Sequence, residues 1–474
     1  MSPVGSTITC AGCGFKADPD EPFPFRCPNA GRDDVDHVMT RVLDPGGSAF
    51  PEGEESDPFV RYRVLFHAYH LARSHGMTDD EYVEIVDSLD KAVAEIDGRG
   101  FTVTPFRRSD ELSDHLGFSA GGGVWVKDET GNVSGSHKAR HLMGLMILVR
   151  VVERLGLGPK GRDAPRLAIA SCGNAALAAG VVARAADRTL EVFVPPDADA
   201  LVLSRLRHLG ARISPCPRHD GSTGDPTYHR LQEAVRAGAL PFTCQGSDNG
   251  LTIEGGETLG YEMVWELART GGRLDRLFVQ VGGGALASAC IQAFEDAARL
   301  GVPAPMPRIH AVQTAGGHPL ERAYDRLADR ILRRLELELG EHPAPPAGDA
   351  ERADLIRTHA SSAAVQDELR YARTHRSEFM WPWEEDPRSI AHGILDDETY
   401  DWMVVVRAMV VSGGHPVVVS EQAVIEANDV GKARTGILVD HTGSAGLAGL
   451  LHLRGRDQVG LDEKVAVLFT GIRR

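Results

Sequence analysis

Between residues 124 and 320, short runs of apolar residues alternate with longer stretches in which apolar residues recur every three or four positions. The short runs lie at 124–126, 167–170, 190–194, 277–281 and 309–312. Short apolar runs bounded by turn residues are typical of buried strands, and the longer spacing is typical of helices. The alternation predicts βαβ units and a parallel sheet, hence an α/β fold whose ligands bind beyond the carboxyl ends of the strands.

The regions on either side follow other patterns. Helical spacing covers residues 59–96, with a break at His75 and Gly76 and with Thr78 as the predicted cap. Residues 1–58 are rich in Pro, Gly, Asp and Cys, which predicts an irregular N-terminal arm. Residues 338–352, rich in Pro and Ala, predict an exposed linker. Strand and helix patterns return at 403–411, 416–419, 437–439, 445–453 and 465–469.

The length of the chain predicts more than one core. At 474 residues it exceeds the roughly 250–300 residues at which single cores stop growing. We therefore expect two lobes and an N-terminal appendage. The predicted division is 1–58 for the arm, 59–133 with 246–474 for a large lobe that contains the linker, and 134–245 for a small lobe.

Charge and cysteine content narrow the function classes. The formal net charge of −16 argues against a nucleic-acid partner, because proteins that bind phosphate backbones carry a basic excess. The sequence has no uninterrupted apolar stretch of about 18 residues and no export signal at its start, so we expect a cytoplasmic protein without a membrane span. Its seven cysteines are an odd number, which favours reduced thiols over a disulfide framework.

The first segment with candidate chemistry is the lysine loop, residues 125–140 (WVKDETGNVSGSHKAR). Lys138 stands where a Gly/Ser-rich loop enters a predicted helix. Backbone N–H groups and the positive helix end favour the neutral, nucleophilic form of such an amine, which can condense with an aldehyde. A solvated lysine on a surface helix has the same local pattern, so this loop alone decides nothing.

The second segment is the asparagine loop, residues 171–174, which joins an apolar strand to an Ala-rich helix. The backbone amides of Ser171, Cys172, Gly173 and Asn174 are predicted to form an anion cradle. The side-chain amide of Asn174 can also donate to a phenolate oxygen. The alternative is an ordinary helix cap, because Ser and Asn are common caps.

The third segment is the glycine loop, in which a predicted strand ends in Gly282, Gly283 and Gly284 before Ala285 opens a helix. Consecutive glycines let N–H groups converge on a phosphate without obstruction from side chains. A tight turn is the alternative. No Lys-Ser/Thr pair follows the glycines, which disfavours a nucleoside-triphosphate loop.

The order of the three loops, each between a strand and a helix, resembles that of the fold-type II enzymes that depend on pyridoxal 5'-phosphate (PLP), the tryptophan-synthase β-like family. Within that family the chain is most similar to threonine synthase-like enzymes. Further matching segments are 104–106 (TPF), 127–129 (KDE), 194–197 (VPPD), 253–262 (IEGGETLGYE), 442–448 (TGSAGLA) and 469–471 (FTG). The resemblance covers about residues 100–474 and implies a two-lobed α/β fold with parallel or mixed sheets flanked by helices.

The resemblance also implies roles for individual residues. Lys138 is expected to hold PLP as a Schiff base and to act as the base at Cα. The expected cofactor contacts are Asn174 at the ring oxygen, Gly282, Gly283, Gly284 and Ala285 at the phosphate, His137 also at the phosphate, and Thr470, or else Thr442, at the ring nitrogen. The asparagine loop is expected to bind the substrate carboxylate, with Arg140 as a candidate cation for a substrate phosphate.

The implied function is that of a PLP-dependent lyase which eliminates or replaces a β- or γ-leaving group of an amino acid, with a threonine synthase-like reaction as the first hypothesis. His137 and Ala285 depart from the threonine synthase pattern and favour an alternative, a β-elimination or β-replacement enzyme that acts through an aminoacrylate. A regulatory protein that keeps the PLP scaffold without turnover is the alternative from another class. The resemblance further implies a homodimer.

A separate cysteine cluster lies in the N-terminal arm. Cys10 and Cys13 form a Cys-x-x-Cys pair, but the second pair is incomplete, since Cys27 is followed by Ala30 where a ligand is expected. A structural zinc site needs four ligands, and His37 is the candidate substitute. The sequence leaves open a rearranged zinc site and a degenerate one.

Overall fold

The computed structural model describes residues 5–472 except 47–48, 160, 162–163, 219–223, 340–347 and 386. Its strands are β1 (Ser6–Cys10), β2 (Met39–Leu43), β3 (Phe106–Ser109), β4 (Gly123–Asp128), β5 (Leu167–Ala170), β6 (Leu190–Val194), β7 (Arg212–Pro215), β8 (Leu240–Pro241), β9 (Arg276–Gln280), β10 (Arg308–Thr314), β11 (Val417–Val419) and β12 (Lys464–Phe469).

Its α-helices are α1 (Pro58–Arg61), α2 (His67–Ser74), α3 (Asp79–Asp97), α4 (Asp110–His115), α5 (Lys138–Leu155), α6 (Asn174–Ala185), α7 (Ala200–His208), α8 (Pro226–Arg236), α9 (Thr252–Thr270), α10 (Ala285–Arg299), α11 (Pro319–Leu339), α12 (Asp349–Thr358), α13 (Ala363–Thr374), α14 (Trp402–Ser412), α15 (Glu421–Thr435) and α16 (His441–Arg454).

The main sheet has six strands in the order β11-β10-β9-β12-β4-β3, all parallel except the antiparallel pair β3–β4. Adjacent strands β9, β12 and β4 end at the same edge, where Phe469 pairs with Asp128. The chain continues from β9 into the glycines that precede α10, from β12 into Thr470, and from β4 into the lysine loop. The strand order therefore brings chain segments more than 300 residues apart to one place.

A second sheet has four parallel strands in the order β7-β6-β5-β8. All four lie in the range 134–245 that the sequence assigns to a small lobe, and β5 leads into α6 with Asn174 at its start. The α/β fold with parallel and mixed sheets is confirmed. The boundaries of the lobes stay a prediction.

Helix α5, which starts at Lys138, is held by close packing and by buried charges. A Cβ added to Gly255 in α9 would lie 2.1 Å from the carbonyl oxygen of Arg140, so the two helices touch backbone to backbone. The buried Arg140 guanidinium pairs with Glu129 at 2.8 Å and with Glu262 at 2.6 Å. Removing one partner of such a network leaves an uncompensated buried charge, so the start of α5 is rigidly placed.

The N-terminal arm is irregular apart from an antiparallel pair, β1 with β2. From β2, the buried Arg41 pairs with Glu254 of α9 and Asp296 of α10. These ion pairs attach the arm to the helices that cover the main sheet.

Several local predictions have clear outcomes. The helical region 59–96 consists of α1, α2 and α3, and Thr78 caps α3 through a capping box with Glu81. Residues 437–439 form no strand, although their apolar pattern predicts one; they lead directly into the capped start of α16 at Asp440. Of the predicted linker 338–352, residues 340–347 lie outside the described residues. Among the described helices, none is both long and apolar enough to cross a membrane.

Candidate active site

The lysine, asparagine and glycine loops converge through the segment that follows β12. Ser136 of the lysine loop forms a bridge with Gly471. A Cβ added to Gly471 would lie 3.1 Å from the Nδ2 atom of Asn174. Gln280, the residue at the end of β9, donates to the Thr470 hydroxyl. The structure thus brings together the three loops that the sequence singles out.

Each of these loops leads into a helix whose start lacks a side-chain cap. The N-cap residues are His137 for α5, Gly173 for α6 and Gly284 for α10. The first N–H groups of a helix have no acceptor within the helix, and they carry its positive end. The starts of α6 and α10 therefore present donors suited to an oxyanion, whereas at the start of α5 the N–H of Arg140 already donates to the His137 carbonyl oxygen at 3.0 Å.

Lys138 is half-buried at the first position of α5. Burial raises the pKa of Asp396 to about 6 and the pKa of Asp401 to about 7, whereas the nearby Lys138 charge lowers both. Burial likewise raises the pKa of the Cys244 thiol to about 11, against the same lysine charge. Two carboxyls of one segment thus lie within the electrostatic reach of the Lys138 amine.

The glycine loop holds a carboxyl group. The backbone N–H of Gly283 acts on the Asp396 carboxyl against the pKa rise caused by burial, and a Cβ added to Gly282 would lie 2.4 Å from Asp396 Oδ2. A Cβ added to Gly283 would lie 2.9 Å from the ring of Tyr400. Gly284 has a φ of +100°, in the region that favours glycine. Side chains at these positions would collide with residues 396–401, so the glycines are required for this close approach.

Asp401 is fixed on two sides. Its N–H donates to the Gly283 carbonyl oxygen at 2.9 Å, and its carboxyl accepts from the N–H of Gly246. The residue is 3% exposed, and within the described residues Oδ2 has no hydrogen-bond partner. A buried carboxyl oxygen without a donor costs free energy unless a proton or a ligand supplies one.

The two candidate threonines differ in their surroundings. Thr470 is buried, and its hydroxyl accepts from Gln280 Nε2 at 2.6 Å, which leaves its proton to be donated elsewhere. Gln280 Nε2 also contacts the carbonyl oxygen of Gly443, which fixes the amide. Thr442 instead accepts from the N–H of Gly393 at 3.0 Å. Each hydroxyl thus accepts a hydrogen bond and keeps its own proton to donate. Thr470 is the one next to the lysine loop, where the N–H of His137 donates to its carbonyl oxygen at 3.1 Å.

Residues 99–374, more than half of the chain, match the sequence model of a family described as pyridoxal-phosphate dependent enzyme. The chain belongs to this family. The resemblance to fold-type II PLP enzymes predicted from the sequence is confirmed.

Individual relatives are distant. The threonine synthase of Methanocaldococcus jannaschii is 21% identical over 373 residues, 78% of this chain and 74% of that protein. The tryptophan synthase beta chain of Rhodopseudomonas palustris is 26% identical over 235 residues, 46% of this chain and 54% of that protein. The solved structure of an L-serine ammonia-lyase from Rhizomucor miehei has a TM-score of 0.53 and 18% identity, and covers 78% of this chain and 94% of its own. That structural likeness shows the fold alone.

The residues of this PLP-enzyme chain fit the cofactor. PLP needs a lysine amine for its aldehyde and an oxyanion cradle for its phosphate. Lys138 offers a half-buried amine, and the Asp396 carboxyl lies against the backbone of Gly282 and Gly283, near the Gly283 N–H. For the phosphate to accept from the same N–H, Asp396 has to give way.

Asn174 lies where a second cofactor contact is expected. Its side-chain amide lies near Gly471 and near the Asp440 carboxyl, which caps α16 by accepting from the N–H of Gly443. A side-chain amide has two N–H donors, so one can face the ring oxygen of PLP while the other faces Asp440.

His137 is buried, with its Nδ1 atom 3.3 Å from the carbonyl oxygen of Thr470. Burial, together with the Lys138 charge, holds the pKa of this imidazole well below its usual range. In the neutral ring Nδ1 then carries the proton, and Nε2 is an acceptor. The predicted bond from His137 to the phosphate stays a prediction that requires the ring to be protonated or turned.

The predicted substrate-binding residues are placed in two different environments. Residues 171–173 are partly or fully exposed at the start of α6, where the N–H of Ser171 donates to the Phe193 carbonyl oxygen at 3.2 Å and the N–H of Gly173 donates to Ser171 Oγ at 3.4 Å. Arg140 is fully buried, and its guanidinium donates to Glu129, Glu262 and Thr258. Arg140 serves the buried network, so its guanidinium is committed to these partners and not, as the sequence predicts, to a substrate phosphate.

Sequence reasoning missed Gln280, Asp396 and Asp401. A polar residue at the end of an apolar strand was a usable signal for Gln280. The two aspartates stand in an irregular segment outside the matched family region, and acidic residues in a chain of charge −16 are usually solvated. Only their contacts with the glycine loop single them out.

The predicted metal ligands also lie together. They are in the N-terminal arm, away from Lys138. The ligand atoms of Cys10, Cys13, Cys27 and His37 are all within 4.8 Å of one another. His37, the candidate substitute for the missing fourth ligand, thus completes the set. The metal itself stays a proposal.

Proposed function

We propose that the protein is a PLP-dependent lyase that catalyses elimination or replacement on an amino acid carrying a β- or γ-leaving group. The observation that carries the proposal is the half-buried Lys138 at a helix start, whose charge reaches the Asp396 carboxyl that lies against the glycine loop. Membership of the PLP-dependent family supports the cofactor.

When bound, PLP supplies the electron sink that makes a Cα proton removable. Lys138 would hold the cofactor and then move the proton at Cα. The backbone N–H groups at the start of α6, residues 171–174, would bind the substrate carboxylate. Thr470, with its hydroxyl fixed by Gln280, would donate to the ring nitrogen. Because a neutral hydroxyl does not keep that nitrogen protonated, this contact favours elimination over transamination.

The threonine synthase-like form of this proposal is supported by the similarity to the M. jannaschii enzyme, which extends over most of both chains. That reaction releases a γ-phosphate, whose dianion needs cationic side chains. Near Lys138 the structure has the carboxyls of Asp396 and Asp401, and Arg140 is engaged in its buried network. Since like charges repel, the site favours the alternative, β-elimination or β-replacement on a substrate without a phosphate.

A substrate panel separates the two forms. The PLP-loaded protein would be incubated with O-phosphohomoserine, serine, threonine and 2,3-diaminopropionate, and phosphate, keto acid and ammonia would be assayed. We expect keto acid and ammonia from at least one of the three substrates that carry no phosphate. Phosphate release from O-phosphohomoserine alone would instead support the threonine synthase-like form.

The role of Lys138 has its own test. Borohydride reduction of the PLP-loaded protein should leave a pyridoxyl label on Lys138, and Lys138→Ala should lose both the label and turnover. Lys432→Ala, at a lysine that pairs with Asp429 on α15, is the matched control and should keep both. A label on another lysine would overturn the proposal.

Two further expectations are tested with the same protein. An unchanged PLP absorption spectrum with every amino acid offered, together with a label on Lys138, would favour the regulatory protein without turnover. Light scattering of the loaded protein would test the homodimer that the resemblance implies.

A further inference from the structure

We propose that the N-terminal arm binds one zinc ion through Cys10, Cys13, Cys27 and His37. The ion fixes this arm against the segment that carries the active-site carboxyls, Asp396 and Asp401. The proposal concerns a structural site, so it stands or falls independently of the reaction catalysed at Lys138.

Two of the six distances between ligand atoms match a tetrahedral zinc site, and all six are within 4.8 Å. With Zn–S bonds of about 2.3 Å and Zn–N bonds of about 2.0–2.1 Å, a tetrahedron places two sulfurs about 3.8 Å apart and a sulfur about 3.6 Å from a nitrogen. The sulfurs of Cys13 and Cys27 are 3.7 Å apart, and the sulfur of Cys10 is 3.4 Å from His37 Nδ1. A sulfur–sulfur distance of 3.7 Å is also far too long for a disulfide bond, which measures about 2.05 Å.

The local fold explains why these residues meet. Cys10 ends β1, and the N–H of Gly14 donates to its carbonyl oxygen at 2.9 Å, which turns the chain so that Cys13 comes back towards Cys10. The antiparallel register pairs Cys10 with Met39, and His37 lies two residues before Met39. The ligands therefore come from two turns and from the start of the second strand.

A second group orients His37 for metal binding. Its Nε2 atom lies 2.8 Å from a carboxyl oxygen of Asp33, and a carboxylate can only accept, so Nε2 carries the proton. Nδ1 then has a free lone pair, and it is the nitrogen that faces the sulfur of Cys10. Metal-ligating histidines usually donate their other N–H to a carboxylate in this way.

The residue next to His37 connects this site to the rest of the protein. The N–H of Asp36 donates to the carbonyl oxygen of Arg373 at 2.8 Å, and the Asp36 carboxyl lies 3.4 Å from the Arg376 guanidinium. Arg376 also pairs with Glu398. Glu398 lies between Asp396 and Asp401 in the sequence. The pairs Asp36–Arg376 and Arg376–Glu398 therefore connect the neighbour of His37 to the segment that lines the glycine loop.

Metal analysis of the full-length protein tests the binding. We expect about one zinc per chain and, after exchange, Co²⁺ absorption bands of a tetrahedral thiolate site. Cys27→Ser and His37→Ala should lose the metal, His37→Cys should keep it in a four-cysteine set, and Cys216→Ser, at a buried cysteine elsewhere, should leave it unchanged. A full-length protein grown with zinc that contains less than about a tenth of an equivalent, or a His37→Ala variant with full metal content, would overturn the proposal.

Hydrogen exchange tests the connection to the active site. Removal of the metal with a chelator should speed amide exchange in the arm and also in residues 396–402, while exchange in β6, remote from the arm, should not change. Faster exchange in the arm alone would overturn the connection. Since exchange is measured without substrate, failure of the lyase proposal would not affect this result.

Discussion

The contact between Asp396 and the glycine loop predicts that this carboxyl opposes cofactor binding. The Gly283 N–H beside the Asp396 carboxyl is one of the donors expected for the PLP phosphate. Two unit charges about 5 Å apart repel by about 3 kcal/mol at an effective dielectric constant of about 20. The side chain can turn away from the phosphate, so this value is an upper limit for the repulsion. We expect Asp396→Asn to strengthen PLP binding by about 1.5–3 kcal/mol, about tenfold to a hundredfold in the dissociation constant.

The assay is a fluorescence or dialysis titration of the cofactor-free protein with PLP. Burial raises the pKa of Asp396 to about 6, so the gain from the substitution should be full at pH 8 and should shrink as the pH falls below 6. The ratio of wild-type to variant affinity cancels the titration of the phosphate itself. Asp429→Asn removes the same charge from the exposed face of α15 and should change the affinity less than twofold.

Equal or weaker PLP binding by Asp396→Asn would refute this reasoning. It would mean that the carboxyl either moves away without cost or donates its own proton to the phosphate. In both cases Asp396 would not compete for the cradle.

Three further changes have expected outcomes. Glu262→Gln weakens the buried pairing of Arg140 and Lys127 and should lower the free energy of unfolding by about 3–5 kcal/mol in urea titration; a loss below about 1 kcal/mol would contradict the network. Gly255→Ala forces α5 and α9 apart and should cost about 1–3 kcal/mol, and an unchanged melting temperature would argue against the close contact. Burial raises the pKa of Asp401 from 3.8 to about 7, so the folded state binds the carboxyl proton more tightly than the unfolded state does. The protonated carboxyl therefore contributes stability at low pH, and this contribution is lost as the pH rises through 7. The urea midpoint of the wild type should therefore fall more than that of Asp401→Asn between pH 5.5 and 8.5, whereas parallel pH curves would rule out this titration.

Much of the site could be predicted because its signals are local. Lys138, Asn174 and Gly283 each lie where an apolar strand meets a helix, and such transitions are marked by neighbouring residues in the sequence. Thr78 was recognisable as a cap for the same reason, since a capping box spans four residues. The order of these local motifs was enough to indicate the fold class and the cofactor.

Other residues depend on contacts that no local pattern encodes. Asp396 meets the glycine loop across more than 100 residues of sequence, and Arg140 is drawn into a network with Glu262 rather than towards a ligand. The pattern of 437–439 predicts a strand, but a strand also needs a partner in a sheet, and these residues lead into α16 instead.

The sequence by itself determined the strand-to-helix loops and the places of Lys138 and the three glycines within them, because backbone preference and short-range hydrogen bonds act within a few residues. Only the tertiary structure decided which charges surround that lysine and that His37 joins the three cysteines. Electrostatic and metal-binding partners are chosen by distance in space, and that distance is set by strand order and by the packing of helices.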